Sequence, residues 1–191
     1  MNNQRNNNKH KFNNRSNEIR VFDLKKMSVQ ELYNKAEAHY TMVSSSQQNK
    51  WHEIISRGGT RKDKISLMAT EILNNPHTSL QQFEELTKWC FDTNQNFALD
   101  AAKALVNVFC EFVFVDKKSL KIFADLTQEQ IKASKKKAEI NIEELVGFFI
   151  EHNLKHTYSE LIRSLEMLLK STIPFVKKTS LNLLTSLTKF S

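Results

Sequence analysis

An all-α fold is predicted for this chain of 191 residues by three observations. Three glycines and two prolines leave little material for the turns of a β protein. Apolar residues recur at i, i+3, i+4 and i+7, the stripe of a helix with one buried side. Helix-length segments also recur in pairs about every forty residues, the spacing of a stacked array of antiparallel helix pairs. At this length one domain or one short array forms, burying roughly two thirds of its unfolded surface.

Residues 1–26 read as a disordered, Asn-rich basic tail. They hold Arg5, Lys9, Lys11, Arg15, Arg20, Lys25 and Lys26 against Glu18 and Asp23, which is +5 of the chain's net +7. Over the first seventeen residues only Met1 and Phe12 are large and apolar, too little to offset the entropy of ordering. The helical-repeat domain, residues 27–191, opens at Ser28, which with Glu31 has capping-box spacing ahead of Leu32, Ala36 and Tyr40. The polar stretch Ser44 to Asn49 is expected to separate this helix from a second one carrying Trp51, Ile54 and Ile55.

A corner follows. Gly58 and Gly59 tolerate the positive φ that ends a helix, Thr60 caps the next one, and Asp63 favours its positive N-terminus and can return a capping bond. Trp51 is expected to pack as an apolar anchor under this corner. Ile65, Met68, Ala69, Ile72 and Leu73 then form one stripe, which Asn74, Asn75 and Pro76 stop. Thr78 with Gln81 offers a second capping-box spacing before Leu80, Phe83, Leu86 and Cys90. After a turn at Asn94 to Asn96, the segment Phe97 to Val115 is apolar around much of its circumference, with Ala98, Ala101 and Ala102 permitting close approach.

Asp116 is expected to cap a short helix through Leu120 and Phe123, and Thr127 with Gln130 to open a polar helix ending at Lys135, Lys136 and Lys137, without an apolar stripe. From Asn141 the pattern recovers through Leu145 and Phe149, Leu161 and Leu165, then Val176 and Leu187. Leu184, Leu187 and Phe190 have no later partner in sequence, so the array is expected to be incomplete at its C-terminus. A truncated or split gene product, or a face covered by another chain, accounts for such an ending.

Composition also excludes. No window approaches the ~20 apolar residues of a membrane span and the Met1 end is polar, so a soluble intracellular protein is expected. Cys90 and Cys110 are too few for a disulfide framework and too far apart for a metal knuckle. Gly58-Gly59 lacks the Lys-Ser/Thr of a phosphate loop. His152 and His156 share a helix face without a third metal ligand and read as exposed histidines near a helix end. Glu84-Glu85 and Glu143-Glu144 diverge around their helices, so neither pair forms an acid and base. The chain is therefore expected to be no enzyme and to need no cofactor, metal or small-molecule substrate. Candidate phosphate contacts are Arg5, Lys9, Lys11, Arg15, Lys135, Lys136 and Lys137; the same charges also suit a solubilising or nuclear-targeting segment.

Trp51, Gly59, Thr60, Asp63, Lys64 and Ile65, followed by Pro76, Leu80, Phe83, Ala98, Ala101, Phe109 and Asp116-Lys117-Lys118, stand in an order that resembles the N-terminal helical-repeat region of the CCAAT-binding-factor family, the nucleolar complex proteins of large-ribosomal-subunit assembly. Pro174, Lys177, Lys178, Leu181 and Leu184 are similar to a later repeat of that family. The resemblance implies a HEAT- or armadillo-like α-solenoid and a nuclear, nucleolar scaffold. It also implies contact with pre-ribosomal RNA and assembly factors, and a partner from the same nucleolar complex. Family members are several times longer, and the C-terminal region that names them has no counterpart in these residues. A protein-only helical adaptor without a ribosomal role is the rival reading. A DNA-binding factor ranks below both, because no Arg- and Asn-rich recognition helix follows a tight turn.

Overall fold

The computed structural model describes residues 21–56, 59–114, 119–134 and 137–189, with the side chains of 46–56 outside that description. Within it run β1 (Val21–Asp23), α1 (Val29–Ser56), α2 (Arg61–Asn74), α3 (Leu80–Trp89), α4 (Gln95–Val108), α5 (Phe123–Ala133), β2 (Glu139–Asn141), α6 (Ile142–Leu169) and α7 (Pro174–Thr188). The all-α expectation holds, with one addition. β1 and β2 pair antiparallel, Phe22 opposite Ile140, in a two-stranded ribbon.

Helix α4 is the hub. Asn94 caps it, accepting from the Asn96 and Phe97 N–H groups, and its side chains Phe97, Leu99, Ala101, Ala102, Leu105 and Val108 are all buried. It packs against α2, α3, α6 and α7, which is what a helix apolar on several sides requires. The chain then widens into a π-helical turn, Phe109–Val113, closed by the Phe114 N–H donating to the Phe109 carbonyl at 3.0 Å. In an α-helix residues five apart diverge; the wider turn brings them to one side. Both rings consequently meet Tyr158, Phe109 at 5.3 Å and Phe114 at 5.2 Å between centroids.

The two longest helices, α1 and α6, have 28 residues each and pack along one another. Tyr33 on α1 meets Phe149 on α6 edge-on at 5.1 Å. Tyr40 reaches further: its hydroxyl accepts the Leu80 N–H at 3.0 Å and so caps α3 from another helix. Burial pushes the Tyr40 phenol up to about 12, so the hydroxyl stays protonated.

Several boundaries differ from expectation, each for a local reason. Ser44 to Asn49 do not interrupt α1. The Ser44 and Ser45 hydroxyls donate back to the Thr41 and Met42 carbonyls at 3.4 and 2.9 Å, so the serines are satisfied inside the helix and no Gly or Pro breaks it. Thr78 and Gln81 form no capping box. Thr78 closes a 3-10 turn, Pro76–Thr78, by donating to the Asn75 carbonyl at 3.3 Å, and Tyr40 supplies the cap instead.

The polar segment after Leu120 is one helix beginning at Phe123, not a short helix followed by another opened at Thr127. Thr127 is buried within it, donating to the Ala124 carbonyl at 2.9 Å. Phe123 and Thr127 with Ile131 supply an inward stripe, contrary to the expectation of a helix without one. That helix ends at Ala133, so Lys137 lies outside it; Asp116 lies outside the described residues.

β1 (Val21–Asp23) lies within residues 1–26, and Leu24 is 3% exposed in the core. Leu187 is not left without a partner: it is 1% exposed, and Leu184 packs against the same core. Phe190 lies outside the described residues. The apolar side chains that α7 does expose are Phe175 and Leu181.

Two substitutions test this packing. Leu105→Ala empties a fully enclosed site in α4 and is expected to cost about 2–5 kcal/mol. Tyr40→Phe leaves the buried Leu80 N–H without its acceptor and is expected to cost about 1–3 kcal/mol in urea denaturation. An unchanged midpoint for Tyr40→Phe would mean that the hydroxyl is not the cap of α3.

Candidate nucleic-acid interface

Most of the basic positions singled out in the sequence, Arg5, Lys9, Lys11, Arg15, Lys135 and Lys136, lie outside the described residues. Lys137 is described and exposed. It precedes β2, and β2 sets its surroundings. The ribbon forms because Val21 and Phe22 pair with Asn141 and Ile140 while Leu24, Ala138 and Ile140 insert into the core. The ladder continues one step past the strands, the Leu24 N–H donating to the Ala138 carbonyl at 2.8 Å.

This antiparallel register carries a consequence for charge. Lys25 and Lys26 leave β1 at the end where Lys137 enters β2, so basic residues far apart in sequence arrive together. Asp23 sits among them. Its carboxyl accepts the Lys25 N–H at 3.0 Å and pairs with Lys26 at 3.3 Å. The Lys25 amide bond foremost holds it below the usual carboxylate range; burial, the next largest influence, opposes this, and Lys26 and then Lys137 add smaller lowering effects. Lys137 pairs with Glu139 at 3.5 Å. Among the described residues, three lysines thus face two carboxylates at this corner. Lys35 on α1 adds a fourth cation nearby, its ammonium 5.6 Å from the centre of the Phe22 ring.

The family-like corner takes the form that its residues suggest. Gly59 has φ +103°, a left-handed value that favours glycine. Space is not the reason, since an added Cβ would meet Asp63 Cβ at an ordinary 3.5 Å. Thr60 and Asp63 form a complete capping box: the Thr60 N–H and hydroxyl both donate to Asp63 Oδ2 at 2.8 Å, and the Asp63 N–H returns to Thr60 Oγ1 at 3.2 Å. Those bonds from Thr60 hold the Asp63 carboxyl below its ordinary range. Ile65 is buried, Lys64 half-buried with its N–H on the Thr60 carbonyl at 3.1 Å. Trp51 belongs to α1, and its expected packing under the corner lies outside the described residues.

Sequence reasoning missed the neighbour of this corner. The Arg61 guanidinium lies 3.9 Å from the centre of the Phe97 ring and binds Asp92 at 2.6 Å, which ties the start of α2 to the turn before α4. No local pattern announces a contact across that separation. Beside it, an open groove of about 410 Å³ runs between α2 and α4 over Ile65, Ala69 and Ala104, with Lys62 and Asp100 paired at its rim.

Cys90 is buried and Cys110 half-buried, and burial raises both thiols, Cys90 to about 12. Neither is a ready thiolate. Among the described residues no group of three His, Cys, Asp or Glu side chains is placed to hold a metal, and no helix is long and apolar enough to cross a membrane. The described surface carries a basic ribbon corner, helix faces and a groove floored by Ile65, Ala69 and Ala104. The fold class is that of a mostly helical protein with a small ribbon. A comparison with protein-family models finds no match, and a comparison with curated proteins finds none either.

The corner is directly testable. Thr60→Ala removes the hydroxyl of the capping box and is expected to cost about 1 kcal/mol. Because the folded-state carboxyl of Asp63 is depressed, its contribution is present above the unfolded value and is lost as pH falls through the folded one. Wild type and Thr60→Ala should therefore converge in stability in acid; a gap that persists unchanged below that range would contradict the capping account.

Proposed function

We propose that this protein is a non-enzymatic helical scaffold that binds RNA through its basic segments and presents helix faces to protein partners. The single observation that carries the RNA reading is the β1–β2 register, which gathers Lys25, Lys26 and Lys137 at one corner. The basic Asn-rich tail leads into β1, and Lys135 and Lys136 precede Lys137 in sequence, which adds to the cationic character of both approaches. Lysines of this kind bind phosphate as point charges, with affinity and little sequence preference.

The particular setting, assembly of the large ribosomal subunit in the nucleolus alongside another nucleolar complex protein, rests on the resemblance of the Trp51 to Ile65 corner and the segments after it. The capping box at Thr60 and Asp63 supports that resemblance as a matter of local architecture; function does not follow from fold alone. A HEAT-like array is the corresponding form of the scaffold. Successive packing of α2 on α3, α3 on α4 and α6 on α7 favours it, whereas a linear stack has contacts only between neighbours and here α6 also packs on α1. The array is in this reading folded back on its first helix.

The rival, a protein-only adaptor, has its own observation: Phe175 and Leu181 are 62% and 56% exposed on α7, while the ribbon corner holds carboxylates as well as lysines.

Binding to a large-subunit ribosomal RNA fragment across a salt series separates the two. Affinity is expected to fall steeply with salt, and replacing Lys25, Lys26 and Lys137 together by Gln should reduce the logarithmic slope by about 2–3. Removing residues 1–20, which leaves β1 intact, should reduce it further. Absence of RNA binding by the intact chain, with sedimentation only as free protein in extracts, would favour the adaptor and end the ribosomal reading.

A further inference from the structure

The segment leading into α5 has backbone groups with no helix or sheet ladder to join, and three side chains of α6 take them up. Glu151 Oε1 accepts the Lys121 N–H at 2.9 Å, His152 Nδ1 accepts the Phe123 N–H at 3.4 Å, and the Lys155 ammonium donates to the Leu120 carbonyl at 2.7 Å. His152 is not the exposed residue near a helix end that the sequence suggested. It lies in the middle of α6, half-buried, its ring edge-on to Tyr33 at 5.6 Å, and Tyr33 is itself edge-on to Phe123 at 5.3 Å. α5 packs chiefly on α6 and α1, so these contacts make up much of its attachment.

To accept at Nδ1 the imidazole must be neutral, with its proton on Nε2. A proton added to Nδ1 would turn the acceptor into a donor and set N–H against N–H. It would also place a positive charge at the N-terminus of α5, where the helix dipole is already positive. We propose that His152 is a pH-sensitive pin: neutral, it caps the start of α5 and holds that helix on α1 and α6; protonated, it releases α5.

Tyr33 of α1 lies against the ring, with Glu37 of α1 and Glu84 of α3 acting on that tyrosine; Glu151, Lys155 and His156 neighbour His152 on α6; and Lys121 precedes α5, its ammonium under the influence of Glu129, Glu151 and Asp125. Two of the carboxylates are engaged, Glu151 with the Lys121 N–H and Glu129 with the Lys121 ammonium at 2.6 Å. Burial foremost, then the charge of His156, hold the His152 imidazole below its ordinary range. A depressed histidine favours the docked state above its unfolded value, and that contribution disappears as pH falls through the folded one. Release would loosen the helix that carries Lys132 and leads towards Lys137 and β2. The pin operates whether or not the protein binds RNA.

Hydrogen exchange on the intact chain at about pH 7.5 and about pH 5.5, corrected for intrinsic rates, reads the pin. In wild type the protection of residues 119–134 relative to α4 is expected to fall about tenfold or more on acidification. His156→Gln should also lose this protection on acidification, starting from a higher pH because one of the charges that hold His152 down is gone. His152→Gln keeps an acceptor that does not titrate, so its α5 protection should be insensitive to pH. No fall in wild type, or an equal fall in His152→Gln, overturns the proposal. If His152→Gln does not fold, NMR titration of the wild type decides: a shared midpoint for the His152 ring and the Phe123 amide supports the pin, and different midpoints overturn it.

Discussion

Enclosure of α4 is the constraint on which the rest of the structure depends. A helix carrying Phe97, Leu99, Leu105, Val106 and Val108 around its circumference cannot lie on a surface without exposing apolar area. The chain meets this by placing α2 and α3 before it and α6 and α7 after it, with Ala98, Ala101 and Ala102 allowing close approach. Burial of apolar side chains contributes roughly 1.5–3 kcal/mol for each fully covered Leu, Ile, Val or Phe, so a hub of this composition outweighs the modest gains of any single cap. The π-helical turn at Phe109 extends the same logic by one further step, bringing Phe109 and Phe114 together against Tyr158.

Around that hub, the starts of α3 and α5 are satisfied by side chains borrowed from other helices. Tyr40 of α1 caps α3, and Glu151, His152 and Lys155 of α6 hold the approach to α5. Ser171, after α6, binds Gln95 at the start of α4 at 2.6 Å and also accepts the Ile173 N–H at 3.0 Å. Such caps couple secondary structure to tertiary packing: a helix end frays when its neighbour moves. They also place polar groups with more than one protonation state at joints, as at His152.

What could be read from sequence divides along the same line. The Gly59, Thr60 and Asp63 corner was legible because capping is local: a left-handed residue, a hydroxyl and a carboxylate three positions on meet within one turn. The apolar circumference of α4 was legible for a similar reason, since periodicity reports burial directly. The ribbon was not, because three-residue strands carry no measurable alternation and β1 pairs with a segment more than a hundred residues away. Thr78 and Thr127 misled because hydroxyl spacing describes a possible cap, while the carbonyls of Asn75 and Ala124 took their bonds. The basic segments were visible as charge. That Lys25 and Lys26 meet Lys137 follows only from pairing, so the grouping of these charges had to come from the fold.

The placement of the basic corner and the stability of the core are therefore linked through one arrangement: the hub fixes α6, α6 fixes β2, and β2 holds β1 with its lysines. Native-state hydrogen exchange in a denaturant series tests the hub most directly. The amides of α4 from Leu99 to Val106 are expected to exchange only through global unfolding, with the denaturant dependence of the whole molecule. Exchange of those amides through small openings that denaturant does not affect would contradict the enclosure of α4.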